Sequence, residues 1–177
     1  FFDLLMGLLS SATGNYYIDD QNFDPYKNKY WQSKICHIPQ NSLLADTTIL
    51  ENITYGSNQK NLNLDKINQI CELAELKKLI NNSEKGLETI IGEKGLKISG
   101  GERQRLSFAK AIYANKDIYL FDEATNALDE KTEDKIFNNL KKIFENKIVI
   151  LISHNDKIRN YCDHIYEIKN KKIEIIK

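Results

Sequence analysis

Two adjacent acidic residues follow an apolar run in the second half of the chain. Residues 118–121 read Ile-Tyr-Leu-Phe, and Asp122 and Glu123 come directly after them. Such a run predicts a strand buried on both faces of a parallel sheet, and open α/β sheets bind ligands at the carboxyl ends of their strands. There an Asp can hold Mg²⁺, and a neighbouring carboxylate can act as general base toward water. Taken alone, an apolar strand that ends in Asp-Glu is common, and its acidic residues more often have a purely structural role than a catalytic one.

A second candidate is a glycine pair before a predicted helix. The sequence Ile98-Ser99-Gly100-Gly101-Glu102 precedes a helical pattern that extends to about residue 114. Ser99 and the two glycines would present a hydroxyl and backbone N–H groups at the positive end of that helix, which suits an anion. An ordinary capped helix start explains the same residues equally well.

Two polar side chains stand after other predicted strands. Gln40 follows a strand predicted over residues 34–38, and His154 follows one over residues 147–152. The Gln40 amide could bind Mg²⁺ through its oxygen and phosphate or water through its NH₂ group, and His154 could donate a hydrogen bond to phosphate. Alone, each signal is weak, and a packed surface histidine is the commoner explanation for His154.

The elements that must position these residues alternate between strand and helix. We expect a parallel sheet whose strands at residues 118–121 and 147–152 are both buried, which predicts an α/β fold. Asp129 is a predicted N-cap of an amphipathic helix that extends to residue 144. The other predicted elements are a helix over residues 1–9, a short strand over 15–19, a helix start at 24–25, two or three short helices over 43–87, and a closing hairpin over 165–168 and 172–176.

Composition limits the possible functions. The 177 residues carry 25 basic and 25 acidic side chains, so no net field attracts nucleic acid or an anionic membrane. The sequence contains no apolar run of the roughly 20 residues that a transmembrane helix needs. Cys36, Cys71 and Cys162 lack the spacing of a metal site, and we interpret them as reduced thiols of a cytosolic protein.

In order and spacing, these motifs resemble the ATP-binding domain of ABC transporters. Gln40 matches the Q-loop, and His154 matches the switch histidine. Three segments match the signature motif (residues 98–102, the signature segment), the end of the Walker B strand (121–123) and the D-loop (Asn126-Ala127-Leu128-Asp129, the D-loop segment). The resemblance covers nearly the whole chain. It implies a P-loop NTPase-like (RecA-like) core at residues 1–42 and 113–177, with an inserted helical subdomain over residues 43–112.

Two segments resemble the exporter-type members of this family. They are residues 43–53 and 89–95. In such proteins this face meets the coupling helices of the membrane domain. The apolar side chains of Leu43, Leu44, Ile49 and Ile53 could equally belong to the core.

The resemblance also implies roles, ligands and partners. Asp122 and Gln40 would complete the shell of Mg²⁺, Glu123 would activate water, and His154 would hold the γ-phosphate of ATP. In a head-to-tail dimer with a second ABC domain, the other subunit's ATP would meet a group consisting of Ser99, Gly100, Gly101, Glu102 and Asp129. A transmembrane domain fused upstream would place the chain at the cytoplasmic face of the cell (inner) membrane, as part of an ATP-driven exporter or flippase. No nucleic acid partner is expected.

One family motif is missing from the sequence. A phosphate-binding loop, Gly-x-x-x-x-Gly-Lys-Ser/Thr, should precede the first helix, and the chain contains no such run. Residues 1–9 match the helix that follows this loop, so we expect an N-terminally truncated domain that is inactive alone. The alternatives are a non-catalytic remnant of the domain and a non-transport ABC ATPase. Ile98, Glu102 and Asn126 stand where Leu, Gln and Ser are usual.

Overall fold

The computed structural model describes residues 1–11, 13–57, 62–170 and 172–176, in which strands and helices alternate. The strands are β1 (Tyr16–Ile18), β2 (Gln21–Phe23), β3 (Ile35–Ile38), β4 (Ile118–Asp122), β5 (Ile148–Ile152), β6 (Tyr166–Lys169) and β7 (Lys172–Ile175). The α-helices are α1 (Phe2–Leu5), α2 (Lys29–Ser33), α3 (Ile49–Ile53), α4 (Leu64–Leu73), α5 (Lys77–Asn82), α6 (Gly100–Ala114) and α7 (Glu130–Ile143). Short 3₁₀ helices lie at Pro25–Lys27, Gly86–Glu88, Glu93–Gly95 and Asp156–Tyr161.

Three parallel strands form the central sheet in the order β3, β4, β5. Phe121 of β4 pairs with Ile38 on one side and with Leu151 on the other. Because parallel strands end at the same edge, the residues that follow all three strands meet there. The predicted parallel α/β sheet is confirmed, and it collects the chemically interesting residues at one edge.

The prediction that the strand at residues 147–152 is buried is wrong. Residues 118–121 of β4 are buried, whereas β5 lies at the edge of the sheet and Ile148 is 59% exposed. Ile150 packs against the small cluster of Phe2, Ile118 and Leu120 on one face, and Leu151 packs against the main core on the other. The apolar composition of a strand does not distinguish a central position from an edge whose faces are only partly covered.

The predicted helix over residues 1–9 is shorter than expected. α1 ends at Leu5, and Gly7 adopts a left-handed φ of 67°. A methyl group at Gly7 would lie 2.2 Å from the carbonyl oxygen of Pro25, so the chain turns where only glycine fits. The indole Nε1 of Trp31 donates a hydrogen bond to the carbonyl of Leu5 at 2.6 Å. A tertiary contact therefore ends the helix.

The segment predicted to form two or three short helices forms α3, α4 and α5. Leu44, Ile49 and Ile53 are buried, whereas Leu43 is 80% exposed. The sequence left open whether these four side chains contact the membrane domain or belong to the core, and burial in the core accounts for three of them. The bridge between Thr48 and Ile90 joins the start of α3 to the segment at residues 89–95.

α6 joins this helical segment to the sheet. It packs against α3, α4 and β3, and Phe108 contacts Phe121 edge-on with ring centroids 5.5 Å apart. The buried apolar residues of α3, α4 and α6 belong to one core cluster with those of α7 and with Tyr119 and Phe121 of β4. The boundaries predicted for a helical subdomain, residues 43–112, stay a prediction.

The chain closes with the predicted hairpin. β6 and β7 pair antiparallel as a separate two-stranded sheet, and the residues of both strands are exposed. In the part of the chain that the structure describes, no helix combines the length and the apolar character that a membrane span requires.

Candidate active site

The carboxylate of Glu123 is contacted by three side chains from three segments. Its Oε2 accepts hydrogen bonds from Gln40 Nε2 at 2.6 Å and from Asn126 Nδ2 at 2.7 Å. Its Oε1 lies 3.0 Å from Nε2 of His154. Gln40 follows β3, Glu123 follows β4 and His154 follows β5. The structure thus brings together Gln40, Glu123 and His154, which the sequence indicated separately. We call these three residues and Asn126 the carboxylate network.

Glu123 has an unusual backbone conformation. Its φ is 47°, in the left-handed region that few residues with long side chains adopt. The N–H of Glu123 donates to the carbonyl of Ile152 at 3.0 Å, and the N–H of Asn126 donates to the carbonyl of Glu123 at 3.3 Å. Such backbone strain costs about 1–3 kcal/mol and is concentrated at functional sites. The hydrogen bonds of the sheet edge hold Glu123 in this conformation.

Asp122 is the last residue of β4 and pairs with Ile152. Its carboxylate and the amide oxygen of Gln40 are ligand types that Mg²⁺ accepts. Among the described residues, no group of three or more His, Cys, Asp or Glu side chains gathers to hold a metal. Two oxygen donors at a partly open strand end fit a Mg²⁺ that takes its other ligands from water and phosphate.

His37 lies on β3 and packs edge-on against Phe2, with ring centroids 5.9 Å apart. Burial lowers its pKa, and the charges of Asp122 and Asp3 oppose that shift only in part. A neutral, packed imidazole fits a structural role for this histidine.

The signature segment caps α6, and its serine is bound by Glu102. The N–H and the hydroxyl of Ser99 donate to Oε2 of Glu102 at 2.7 and 2.8 Å, and the N–H of Glu102 donates back to Oγ of Ser99 at 3.3 Å. This is a capping box. The Glu102 carboxylate therefore engages the two Ser99 donors, which are among those that the sequence predicted for a phosphate.

The charge of Glu102 is stabilised in that position. Burial raises the pKa of Glu102, but the Ser99 hydrogen bonds and the charges of Arg105 and Lys78 outweigh burial and lower the pKa overall. At neutral pH the first turn of α6 therefore carries a carboxylate. Gly100 and Gly101 lie in the same turn.

Asp129 caps α7, as predicted. Its two carboxylate oxygens accept from the N–H of Thr132 at 3.0 Å and from the Thr132 hydroxyl at 2.7 Å. These hydrogen bonds lower the pKa of Asp129. Within the described residues, the hydrogen bonds of Asp129 and of the signature segment are separate from the carboxylate network, and a ligand-binding role for Asp129 stays a prediction.

Two residues support the site through contacts that the sequence did not predict. Asn126 was predicted only as part of the D-loop segment, yet it donates directly to Glu123. Glu133 lies in the first turn of α7, is buried, and accepts from Nδ2 of Asn155 at 2.7 Å. Asn155 follows His154, so α7 anchors the loop that carries the histidine. The partners lie far apart in sequence, and side-chain type alone gives no signal for such pairs.

A parallel sheet whose strand ends supply Gln40, Asp122, Glu123 and His154, with a capped glycine helix start nearby in the chain, defines a nucleotide-binding fold of the P-loop NTPase class. A family model described as ABC transporter matches residues 1–126. The chain therefore belongs to the ABC transporter family.

Several of the most similar proteins are transporters. The mitochondrial iron-sulfur clusters transporter ATM1 of Debaryomyces hansenii is 36% identical over 160 residues, which cover 90% of this chain and 23% of that protein. The multidrug resistance ABC transporter ATP-binding and permease protein of Lactococcus lactis subsp. cremoris is 33% identical over 172 residues, which cover 97% of this chain and 29% of that protein. The chain thus spans less than a third of the length of these relatives.

A solved structure is also similar. A bacterial Atm1-family ABC exporter with ATP bound superposes with a TM-score of 0.83 at 31% identity, covering 93% of this chain and 28% of that chain. The arrangement of strands and helices described above is therefore that of the ATP-binding domain of an ABC exporter.

Proposed function

We propose that this chain is part of an ATP-hydrolysing domain that drives an ABC exporter or flippase. The observation that carries the proposal is the carboxylate network. Gln40 and Asn126 donate to one oxygen of Glu123, while His154 lies beside the other. A carboxylate fixed in this way at the end of a central strand is placed to take a proton from water. The ATP-bound state of the similar bacterial exporter supports ATP as the ligand.

Each residue of the strand edge has a separate task in this proposal. Asp122 and the amide oxygen of Gln40 would hold the Mg²⁺ that accompanies the nucleotide. Glu123 orients a water and accepts its proton, and His154 donates a hydrogen bond to the γ-phosphate. Phosphoryl transfer is accelerated mainly by positioning and by stabilisation of charge, which are what these groups supply.

The signature segment serves a second copy of the domain. Ser99, Gly100 and Gly101 offer N–H groups and a hydroxyl at the start of a 15-residue helix, where the helix dipole favours an anion. In a head-to-tail dimer they face the partner's ATP, with Glu102 and Asp129 at the margin. Since Glu102 already engages the Ser99 donors, the phosphate must displace its carboxylate.

An open cavity is the proposed contact for the membrane domain. It has a volume of about 430 Å³ and lies between β3, α3 and α6, with Cys36, Ile53, Tyr55 and Lys110 in its lining. The relative from Lactococcus lactis is named an ATP-binding and permease protein, which supports a transmembrane domain in the same polypeptide. The proposed location is the cytoplasmic face of the cell (inner) membrane.

ATP hydrolysis by the longer protein that contains this chain tests the proposal. In lipid vesicles with Mg²⁺ and ATP, His154→Ala should lower kcat about 100-fold, the usual cost of losing one donor to a developing charge. His164→Ala is the matched control, because His164 is also exposed but lies outside the carboxylate network. A wild-type protein without ATPase activity, or equal rates in the two variants, would overturn the proposal.

The 177-residue chain alone should behave differently. Its sequence lacks the Gly-x-x-x-x-Gly-Lys-Ser/Thr loop whose N–H groups and lysine hold the phosphates. We expect no measurable ATPase activity and weak binding of Mg²⁺–ATP by this chain. Titration calorimetry that gave a micromolar Kd would contradict that expectation. A non-catalytic remnant is the second candidate, and the intact carboxylate network argues against it.

A further inference from the structure

We infer that Gln104 is a positioning residue that links the signature helix α6 to the carboxylate of Glu123 in the same chain. The inference rests on the proposed function, since it concerns how Glu123 is held for catalysis. It identifies a mechanical path from the surface that meets the partner's ATP to the base that serves this chain's own ATP.

The first part of the path is a buried hydrogen bond between α6 and the D-loop segment. Gln104 is 6% exposed, and its Oε1 accepts from the backbone N–H of Ala127 at 2.9 Å. The two residues are 23 positions apart in sequence. A buried acceptor that satisfies a backbone N–H is costly to remove, because the donor is then left without its partner.

The second part is close packing between the glycines of α6 and Ala127. A methyl group at Gly101 would lie 3.0 Å from the carbonyl oxygen of Ala127, and one at Gly100 would lie 3.3 Å from its Cβ. The first turn of α6 thus has little room to move against Ala127. A small displacement of the signature segment is transmitted to the D-loop segment rather than absorbed between them.

The third part joins Ala127 to the catalytic carboxylate through its neighbour in the chain. Asn126 donates through Nδ2 to Oε2 of Glu123 at 2.7 Å and through its backbone N–H to the Glu123 carbonyl at 3.3 Å. The turn over residues 123–127 is therefore fixed at one end by β5, through the N–H of Glu123 and the carbonyl of Ile152, and at the other by Gln104.

The consequence is coupling between the two ATP sites of the proposed dimer. A phosphate bound at the first turn of α6 fixes the position of that turn, and Gln104 passes the constraint to Asn126. Asn126 then holds the Glu123 carboxylate in one orientation. Gln104 touches neither nucleotide in this scheme, and it acts only through the D-loop segment.

A double-mutant cycle in the full-length transporter tests this path. Gln104→Met keeps the length of the side chain but removes the acceptor, and Asn126→Ala removes the amide that contacts Glu123. We expect each variant to lower kcat about three- to tenfold, the effect of one hydrogen bond, and to change the KM for ATP less than about twofold. Combined, the two substitutions should lower kcat no more than either alone, because both break the same path.

Two controls separate positioning from folding. Gln104→Glu keeps an oxygen acceptor at this position and should therefore retain most of the wild-type kcat. Asn139 donates to the carbonyl of Leu73 at 3.0 Å, so Asn139→Leu removes a comparable link between α7 and α4 that lies outside the path. It should lower the thermal unfolding midpoint about as much as Gln104→Met while leaving kcat unchanged.

The outcomes distinguish this inference from the proposed function. A wild-type transporter with ATPase activity in which the two substitutions multiply, or in which Asn139→Leu lowers kcat equally, would overturn the role of Gln104 alone. A wild-type transporter without ATPase activity would overturn the proposed function, and with it the role of Gln104 that rests on it.

Discussion

Replacement of Glu123 by Gln changes the proposed base with little change in shape. Oε2 of Glu123 faces two amide donors, so the carbonyl oxygen of the new glutamine would take that side and its NH₂ group would face His154. Hydrogen bonds to a charged acceptor are worth about 1 kcal/mol more than those to a neutral one. The two amide contacts therefore limit the loss of folding stability to about 2 kcal/mol.

The effect on the rate should be much larger. A positioned general base contributes about 10²- to 10⁴-fold, which is about 2.7–5.4 kcal/mol of the activation barrier. Because the neighbours of the carboxylate stay in place, we expect Glu123→Gln to bind ATP while turning it over 10²- to 10⁴-fold more slowly. The nucleotide should then accumulate unhydrolysed on the full-length transporter.

Phosphate release and retention of radiolabelled ATP measure the two effects in one preparation. Glu167→Gln is the matched control, because this substitution removes the same charge from a residue on the exposed strand β6. It should leave both readings at the wild-type level. A kcat for Glu123→Gln within about threefold of the wild type would refute the general-base assignment.

Three other substitutions test separate features of the structure. Glu102→Gln keeps a capping side chain but removes a negative charge from the turn that meets phosphate, and it should lower the apparent KM for ATP about two- to fivefold in steady-state assays. Phe144→Ala removes a buried ring that stacks on Tyr119 with centroids 4.0 Å apart, and it should cost about 3–5 kcal/mol in denaturant unfolding. Burial raises the pKa of Cys71 from 9.0 to about 11, so the folded state keeps a proton that the unfolded state loses, and stability should fall as the pH rises from 9 toward 11. Cys71→Ala should reduce that dependence, and equal slopes for both proteins in unfolding at pH 8 and pH 10 would contradict it.

Local signals were sufficient for the central sheet and for the helix caps. The strands β3 and β4 are short apolar runs that end at polar residues, and such runs predict parallel strands with a site at their carboxyl ends. Asp129 could be predicted as a cap because its side chain satisfies N–H groups three residues away, within the same element. Gln40, Glu123 and His154 of the carboxylate network were identifiable from local sequence because each of them follows a predicted strand.

Features that depend on distant partners were not predictable. β2 contains Gln21 and Asn22, which carry no apolar pattern, and it is a strand because it pairs with β1. α1 ends early because Gly7 meets Pro25 across 18 positions of sequence. The contact between Glu133 and Asn155 also joins two elements that only the fold brings together.

The terminal hairpin has a practical consequence for work with this chain in solution. Among the described residues, β6 and β7 pair only with each other, so each has an outer edge whose backbone groups can pair with another molecule. Ile168, Ile173 and Ile175 are all exposed in these strands. The chain has zero net charge at pH 7, so electrostatic repulsion between molecules is weakest there. Colloidal stability of the isolated chain should therefore be poorest at neutral pH, and a lysine in place of Ile173 would protect the exposed edge with a charge.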